Sequence, residues 1–285
     1  MKLANLDGRA VLITPDDLAV DVHQASDGRF GPEPAPLFSE WGAFRDWAQA
    51  APLTEAAAYD PAALGPPSPD PRQILGIGLN YTEHAMESGF EAPKGLPPVF
   101  PKFLSSLSGP VTKVVLPEGG NTDWEVELVA VIGSTTYNID EADAWEHVAG
   151  ITAGQDLSER VTQLAGPAPQ FGLGKSFSGF SPTGPFLVTT DEVPDPDDLA
   201  LHCELDGETL QDGRTSNLIV SVPRLIAELS KIITLYPGDL LFTGTPAGVG
   251  LGRDPQKYIA AGQTLVSTVE GVGELRQHFV AADGK

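Results

Sequence analysis

Glu125 and Glu127 stand one residue apart at the head of an apolar run, Asp123-Trp124-Glu125-Val126-Glu127-Leu128-Val129-Ala130-Val131-Ile132-Gly133. On a strand, alternate side chains share a face, so the two carboxylates aim at one spot. Like charges converging at the mouth of a buried strand repel, and burying either one unpaired is costly. A hard divalent cation relieves both problems, because carboxylate oxygens suit magnesium, calcium or manganese. The plainer alternative is a strand that begins at the surface with two solvated acids. Asp156, in Gly154-Gln155-Asp156-Leu157-Ser158-Glu159-Arg160, ends a second expected strand. It offers a third oxygen ligand; equally, it fits a helix N-cap.

His84 and Glu87 are three residues apart in Gly78-Leu79-Asn80-Tyr81-Thr82-Glu83-His84-Ala85-Met86-Glu87. On one helical turn they share a face, and an imidazole held by a carboxylate suits deprotonation of water. A solvated surface pair fits the same spacing. Lys175 lies among glycines and aromatics in Gln170-Phe171-Gly172-Leu173-Gly174-Lys175-Ser176-Phe177. There it could hold an oxyanion or a substrate carboxylate, or simply be a surface lysine. A phosphate loop is excluded, since Pro169 stands where its first glycine belongs. A serine-nucleophile elbow fails too, because Ser178 replaces its closing glycine. The run Gly244-Thr245-Pro246-Ala247-Gly248-Val249-Gly250 offers backbone N–H groups and the Thr245 hydroxyl to an anion, though such runs are mostly turns.

These residues need a scaffold. The chain has 285 residues, 41% of them hydrophobic, which suffices for a sizeable core. Its 17 basic and 39 acidic residues give a net charge of -22, a field that disfavours nucleic acid and anionic membrane surfaces. The single cysteine, Cys203, permits no intrachain disulfide and reads as a core residue. The N-terminus lacks an apolar signal core, and no stretch approaches the ~20 apolar residues of a membrane span, so a cytoplasmic location is expected. A small N-terminal unit with its proline-rich linker is expected over residues 1–70, with a catalytic domain over 71–285. In the first unit, Ser39 is placed to cap a helix running to Ala50. In the second, strands dominate: Ile74 to Gly78, Lys113 to Pro117, Ile151 to Ala153, Phe186 to Thr189, Leu201 to Leu205, Leu240 to Thr243 and Thr264 to Val269. Asp140 is placed to cap a helix through Val148. Asp206-Gly207 signals a tight hairpin, and Pro223 opens a helix with Leu225, Ile226, Leu229, Ile232 and Ile233 on one face.

In their order along the chain, these segments resemble the fumarylacetoacetate hydrolase family, in its acylpyruvase and hydroxymuconate isomerase-like branch. The matching pieces are Gly78-Leu79-Asn80-Tyr81 with His84 and Glu87, then Asp123-Trp124-Glu125-Val126-Glu127-Leu128. They continue with Gln155-Asp156-Leu157-Ser158-Glu159-Arg160 and Gln163, Gly174-Lys175-Ser176-Phe177, and Pro182-Thr183-Gly184-Pro185. Pro237-Gly238-Asp239 and Thr243 to Gly250 complete the set. The resemblance covers roughly residues 73 to 280. It implies an α+β, β-rich fold: a mixed β-roll catalytic domain, with a small N-terminal domain and usually dimeric. It implies a magnesium, manganese or calcium ion held by Glu125, Glu127 and Asp156. Lys175 would contact the substrate oxygens, His84 and Glu87 would activate water from a mobile lid, and Arg160, Gln163, Thr245 and Tyr81 would line the substrate site. The implied reaction is hydrolysis of a carbon–carbon bond in a 2,4-dioxo acid. The alternatives are isomerisation, dehydration or decarboxylation of a 2-oxo acid through the same chelated enolate. Three positions depart from the common family pattern: Gln155 for asparagine, Ser178 for aspartate and Phe171 for tryptophan. They bear on the substrate rather than on the metal site.

Overall fold

The computed structural model describes residues 1–87, 89, 91 and 93–282. Its principal strands, in chain order, are β1 (Lys2–Leu6), β2 (Arg9–Ile13), β3 (Ala19–Asp21), β4 (Ile74–Ile77), β5 (Val99–Pro101), β6 (Val111–Val115), β7 (Val126–Ile132), β8 (Val148–Gln155), β9 (Ser181–Val188), β10 (Ala200–Leu205), β11 (Glu208–Arg214), β12 (Leu240–Phe242), β13 (Thr264–Val269) and β14 (Gly273–Val280). The larger sheet runs β3-β2-β1-β9-β8-β7-β12-β4-β5, and a second runs β11-β10-β13-β14-β6. Most neighbours are antiparallel, while β12 with β4 and β14 with β6 are parallel. The fold is α+β and β-rich, as expected.

Strand β7 explains the arrangement. All seven of its residues are buried, because β8 and β12 flank it in the sheet and cores cover both faces. The two-residue period sorts its side chains. Leu128, Ala130 and Ile132 join the core shared with the second sheet. Val129 and Val131 join a core that includes Leu3, Leu12, Phe30, Trp41 and Phe44. Glu127 heads that second row, and its carboxylate lies where the apolar row ends.

Residues 1–70 are tied into this frame. β1 pairs with β9 at Lys2↔Val188 and Leu3↔Leu187, and the N-terminal aromatics pack on Val129, Val131 and Phe242. Residues 1–70 therefore share a sheet and a core with strands of the later segment.

Several local expectations are corrected. A 3-10 turn at Phe38–Glu40 precedes helix α1 (Trp41–Ala48), and Ser39 donates to the Pro36 carbonyl instead of capping. The Asp140 segment is a 3-10 helix, Glu141–His147, without a side-chain cap. β9 begins earlier than expected and passes two prolines. Its pairing to β8 slips between Val188 and Gly184, and Pro185 sits in that irregular stretch, where a missing N–H is tolerated. The helix carrying Pro223 runs Val222–Ser230, with the Ser221 hydroxyl accepting from the Arg224 N–H. Because it stops at Ser230, Ile232 falls beyond the buried face and is 71% exposed. The Asp206-Gly207 hairpin forms as expected, with both residues at positive φ, 51° and 83°, between the paired Leu205 and Glu208. Among the described residues, no helix is long and apolar enough to cross a membrane.

Candidate metal and active site

The start of β7 and the end of β8 lie side by side, with Val126 opposite Gln155 and Glu127 opposite Gly154. This register places Asp156 beside the two glutamates. The Asp156 N–H donates to the Glu125 carbonyl at 2.9 Å, and the Glu125 N–H donates to the Gln155 side-chain oxygen at 2.9 Å. Carboxylate oxygens of Glu125, Glu127 and Asp156 come within 4.8 Å of one another, and all three residues are buried. The surface-acid alternative is thereby removed. So is the N-cap role for Asp156: Glu159 caps the following helix α3 (Arg160–Gln163) by accepting from the Val161 and Thr162 N–H groups.

Three buried cations meet these acids. The Lys175 ammonium, just past the helical turn Phe171–Gly174, donates to Glu125 at 2.7 Å and to Asp156 at 2.6 Å. Burial works to lower its pKa, but Asp156 and Glu125 outweigh burial and hold it above the usual lysine range. Arg160 donates twice to Asp123 (2.9 and 2.7 Å), pairs with Glu125 at 2.8 Å and donates to Gln163 at 2.8 Å. Burial disfavours the Glu125 anion, yet Lys175 and Arg160 hold its carboxyl well below the usual range. The third cation, Lys102, donates to Asp156 and to the carbonyls of Lys175 (2.6 Å) and Phe180 (3.3 Å). Its burial pulls its pKa down against the attraction of Asp156.

Lys102 and Asp123 were not singled out from the sequence. A lysine inside the apolar stretch Val99-Phe100-Pro101-Lys102-Phe103-Leu104 was the available signal for the first. Asp123 accepts from the Gly250 N–H (2.7 Å) and the Leu251 N–H (2.9 Å) as well as from Arg160, so it ties the glycine-rich loop to the site. Lys102→Met should lower stability in chelator by about 3 kcal/mol, because it strands part of the charge of a fully buried carboxylate. Urea titration measures this, and a loss under about 1 kcal/mol would mean that Lys102 is dispensable to the cluster.

Glu127 differs from its neighbours. Among the described residues, its carboxylate has one hydrogen-bonding partner, the Gly244 N–H, at 2.8 Å. Burial, then the charges of Asp156 and Glu125, push its carboxyl well above the ordinary range. Among the described residues, four buried acids, counting Asp123, thus face three cations, and the acid least favoured as an anion, Glu127, sits where three oxygens converge. That donor set fits a hard divalent cation. Close by, burial and then Glu127 push the Tyr81 phenol upward, and its hydroxyl has no hydrogen-bond partner among the described residues.

His84 and Glu87 lie on helix α2 (Thr82–Glu87), with the imidazole Nδ1 3.0 Å from the Glu87 carboxylate. Glu87 also accepts from the Gly248 N–H, at 3.0 and 2.9 Å to its two oxygens. Gly244–Gly250 is therefore an acceptor-binding loop, but the anions it holds here are the protein's own side chains: Glu127 at Gly244, Glu87 at Gly248 and Asp123 at Gly250. His84, Glu125, Arg160, Gln163, Lys175 and Thr245 all border one cavity of about 40 Å³. Tyr81 is not among its lining. The Thr245 hydroxyl is already used, donating to the Val126 carbonyl and accepting from Gln211, so it braces β7. Asn80 likewise braces the base of α2 by bonding Val220 and the Thr243 carbonyl. Cys203 is a buried core residue as expected, its thiol pushed up to about 12 chiefly by burial.

A β-rich sheet pair whose strand ends gather three carboxylates beside a cavity is the framework of a divalent-cation enzyme. The chain belongs to the fumarylacetoacetate hydrolase family: residues 73–280 match the fumarylacetoacetate (FAA) hydrolase C-terminal family. A solved Mycobacterium smegmatis protein described as HpcE is 55% identical, with a TM-score of 0.95, over 99% of this chain and 100% of that one. A Mycobacterium abscessus protein described as a 2-hydroxyhepta-2,4-diene-1,7-dioate isomerase is 26% identical, with a TM-score of 0.83, over 99% of each chain. The maleylpyruvate hydrolase of Sphingobium sp. SYK-6, solved with manganese(II) and pyruvate, is 28% identical, with a TM-score of 0.77, over 99% of this chain and 100% of that one.

Proposed function

We propose that the protein hydrolyses a carbon–carbon bond in an acylpyruvate-like 2,4-dioxo acid, releasing pyruvate and a carboxylic acid. The observation that carries this reading is the buried His84 imidazole, paired with half-buried Glu87 and bordering the same cavity as Lys175 and Glu125 of the acidic triad. A water-activating dyad is superfluous for decarboxylation, and hydrolysis requires one. Glu125, Glu127 and Asp156 would hold the cation, magnesium or manganese being the expected ions. When bound, it would supply Lewis acidity toward the 2-oxo acid end of the substrate.

The protein's own groups do the rest. Glu87 accepts a proton-bearing Nδ1 of His84, which leaves Nε2 as the basic nitrogen. Nε2 takes a proton from water, and the oxygen attacks the 4-oxo carbon. The bond between carbons 3 and 4 breaks, its electron pair passing to carbon 3 as the pyruvate enolate. His84 then returns its proton to carbon 3. Lys175 adds positive charge beside the substrate oxygens, and Arg160 holds Glu125 and Gln163 in place. A 40 Å³ cavity admits a water or two, so α2 must swing away for substrate to enter and serves as the lid.

Product analysis by mass spectrometry tests this, with metal-stripped and manganese-loaded protein on a panel of acylpyruvates and oxaloacetate. Pyruvate plus a second acid, formed only with metal, is expected. His84→Ala should lower kcat about 10²–10⁴-fold while leaving pyruvate affinity unchanged. An isomer, a dehydrated product or carbon dioxide would assign the site to another reaction of the same enolate.

A further inference from the structure

We infer that the acyl end of the substrate is short, apolar and uncharged, so that the site favours a 2-oxo acid with one carboxylate over one with a second carboxylate at the far end. This rests on the 2-oxo acid reading above. It also departs from what the maleylpyruvate hydrolase and the dioate isomerase act on by name.

Charge is the first argument. Counted by formal charge, the four acids Asp123, Glu125, Glu127 and Asp156 oppose the three cations Lys102, Lys175 and Arg160. A divalent cation would turn the deficit of one positive charge into a surplus of one. That surplus matches the single carboxylate of a 2-oxo acid and leaves nothing for a second. The His84–Glu87 pair adds no positive charge: with His84 neutral, as its role as base requires, Glu87 contributes one further negative charge, held by the Gly248 N–H.

Saturation is the second argument. All three Lys102 donors have acceptors. Lys175 is shared between two carboxylates. Four of the five Arg160 donors are engaged by Asp123, Glu125 and Gln163. Arg253 lies over the Trp124 indole and donates to the carbonyls of Gly248 and Leu210.

The remaining wall is the third argument. Apart from the polar groups already named, the cavity is bordered by Ile77, Leu79, Phe100, Leu164, Phe171 and Leu251. Phe100 and Phe171 meet edge to face, with centroids 5.8 Å apart. A carboxylate pressed against that wall loses its hydration and meets apolar side chains that offer no donor, whereas a methyl or short alkyl group gains from burial. The departure at Phe171 thereby acquires a role, as one side of the acyl pocket.

Calorimetry on the manganese-loaded protein tests this with two uncleaved probes of equal chain length, 2-oxohexanoate and 2-oxoadipate, and with pyruvate as reference. We expect 2-oxohexanoate to bind at least about tenfold tighter than 2-oxoadipate. Phe171→Arg should erase or reverse the preference, and Leu251→Lys provides a second placement of the same charge should the first variant fold poorly. Equal or tighter binding of 2-oxoadipate by the wild type, with pyruvate bound, overturns this inference and leaves the 2-oxo acid reading standing. If neither charge insertion improves 2-oxoadipate relative to 2-oxohexanoate, the acyl end does not lie against this wall and the inference is overturned. Failure of all three probes to bind overturns the 2-oxo acid reading itself, and this inference with it.

Discussion

Glu127→Gln should weaken divalent-cation binding by at least about 100-fold while leaving the metal-free fold as stable as the wild type or more so. Loss of a partner that merely orients a ligand costs about 10–100-fold in metal affinity, so loss of a ligand oxygen should cost no less. The stability expectation comes from the unequal treatment of the three acids. Glu125 and Asp156 each contact a lysine, whereas Glu127 has one backbone N–H and two carboxylate neighbours. A glutamine keeps the acceptor that Gly244 uses and replaces a repelled oxygen with a donor facing Glu125 and Asp156. It thus removes a buried acid that its surroundings disfavour as an anion, without opening a cavity. Paired measurements decide the matter: calorimetric titration with manganese, and thermal unfolding with and without chelator. At a hundredfold excess over its dissociation constant, the ion should add about 2.7 kcal/mol to the wild type and almost nothing to the variant. Wild-type affinity in the variant would remove Glu127 from the ligand set. Marked destabilisation in chelator would mean that its charge is structural.

The contrast between Glu127 and its neighbours also shows what the amino-acid order could and could not reveal. The apolar run after Glu125 announces a buried strand, and the two-residue period brings Glu125 and Glu127 to one place; β7 has that form. The i, i+3 spacing likewise pairs His84 with Glu87. These are local consequences of backbone geometry. Which cation meets which acid is not local. Lys102 reaches Asp156 across 54 positions, and Arg160 reaches Asp123 across 37, through strand pairings that no periodicity encodes. Thr245 shows the same limit in reverse. Its hydroxyl looked free to meet a substrate, but Gln211 and the Val126 carbonyl claim it from elsewhere in the chain. Caps failed for a related reason. Ser39 and Asp140 are suited to N-caps, but tertiary packing sets 3-10 geometry at both places.

Lys175→Met should lower the stability of the metal-free protein by about 3–5 kcal/mol and abolish turnover. Among the described residues its ammonium is the cation that contacts both Glu125 and Asp156, and methionine fills similar volume without neutralising either. The pH dependence separates this from a packing defect. Lys175 is held above its ordinary 10.5, so its contribution is complete below that value and fades only as pH rises through the elevated one. Glu125 is held below its ordinary 4.5, so the contribution of the pair is present above that value and is lost as pH falls through the depressed one. The deficit of the variant should therefore be level from roughly pH 5 to pH 10 and shrink outside that window. Adding Glu125→Gln to the variant should recover part of the loss, because the second change discharges one of the two stranded carboxylates. A deficit that ignores pH, or a double variant that is worse by the full sum of the single effects, would show that Lys175 acts by filling space. In either case the electrostatic account of the cluster, and the charge balance drawn from it, would fall.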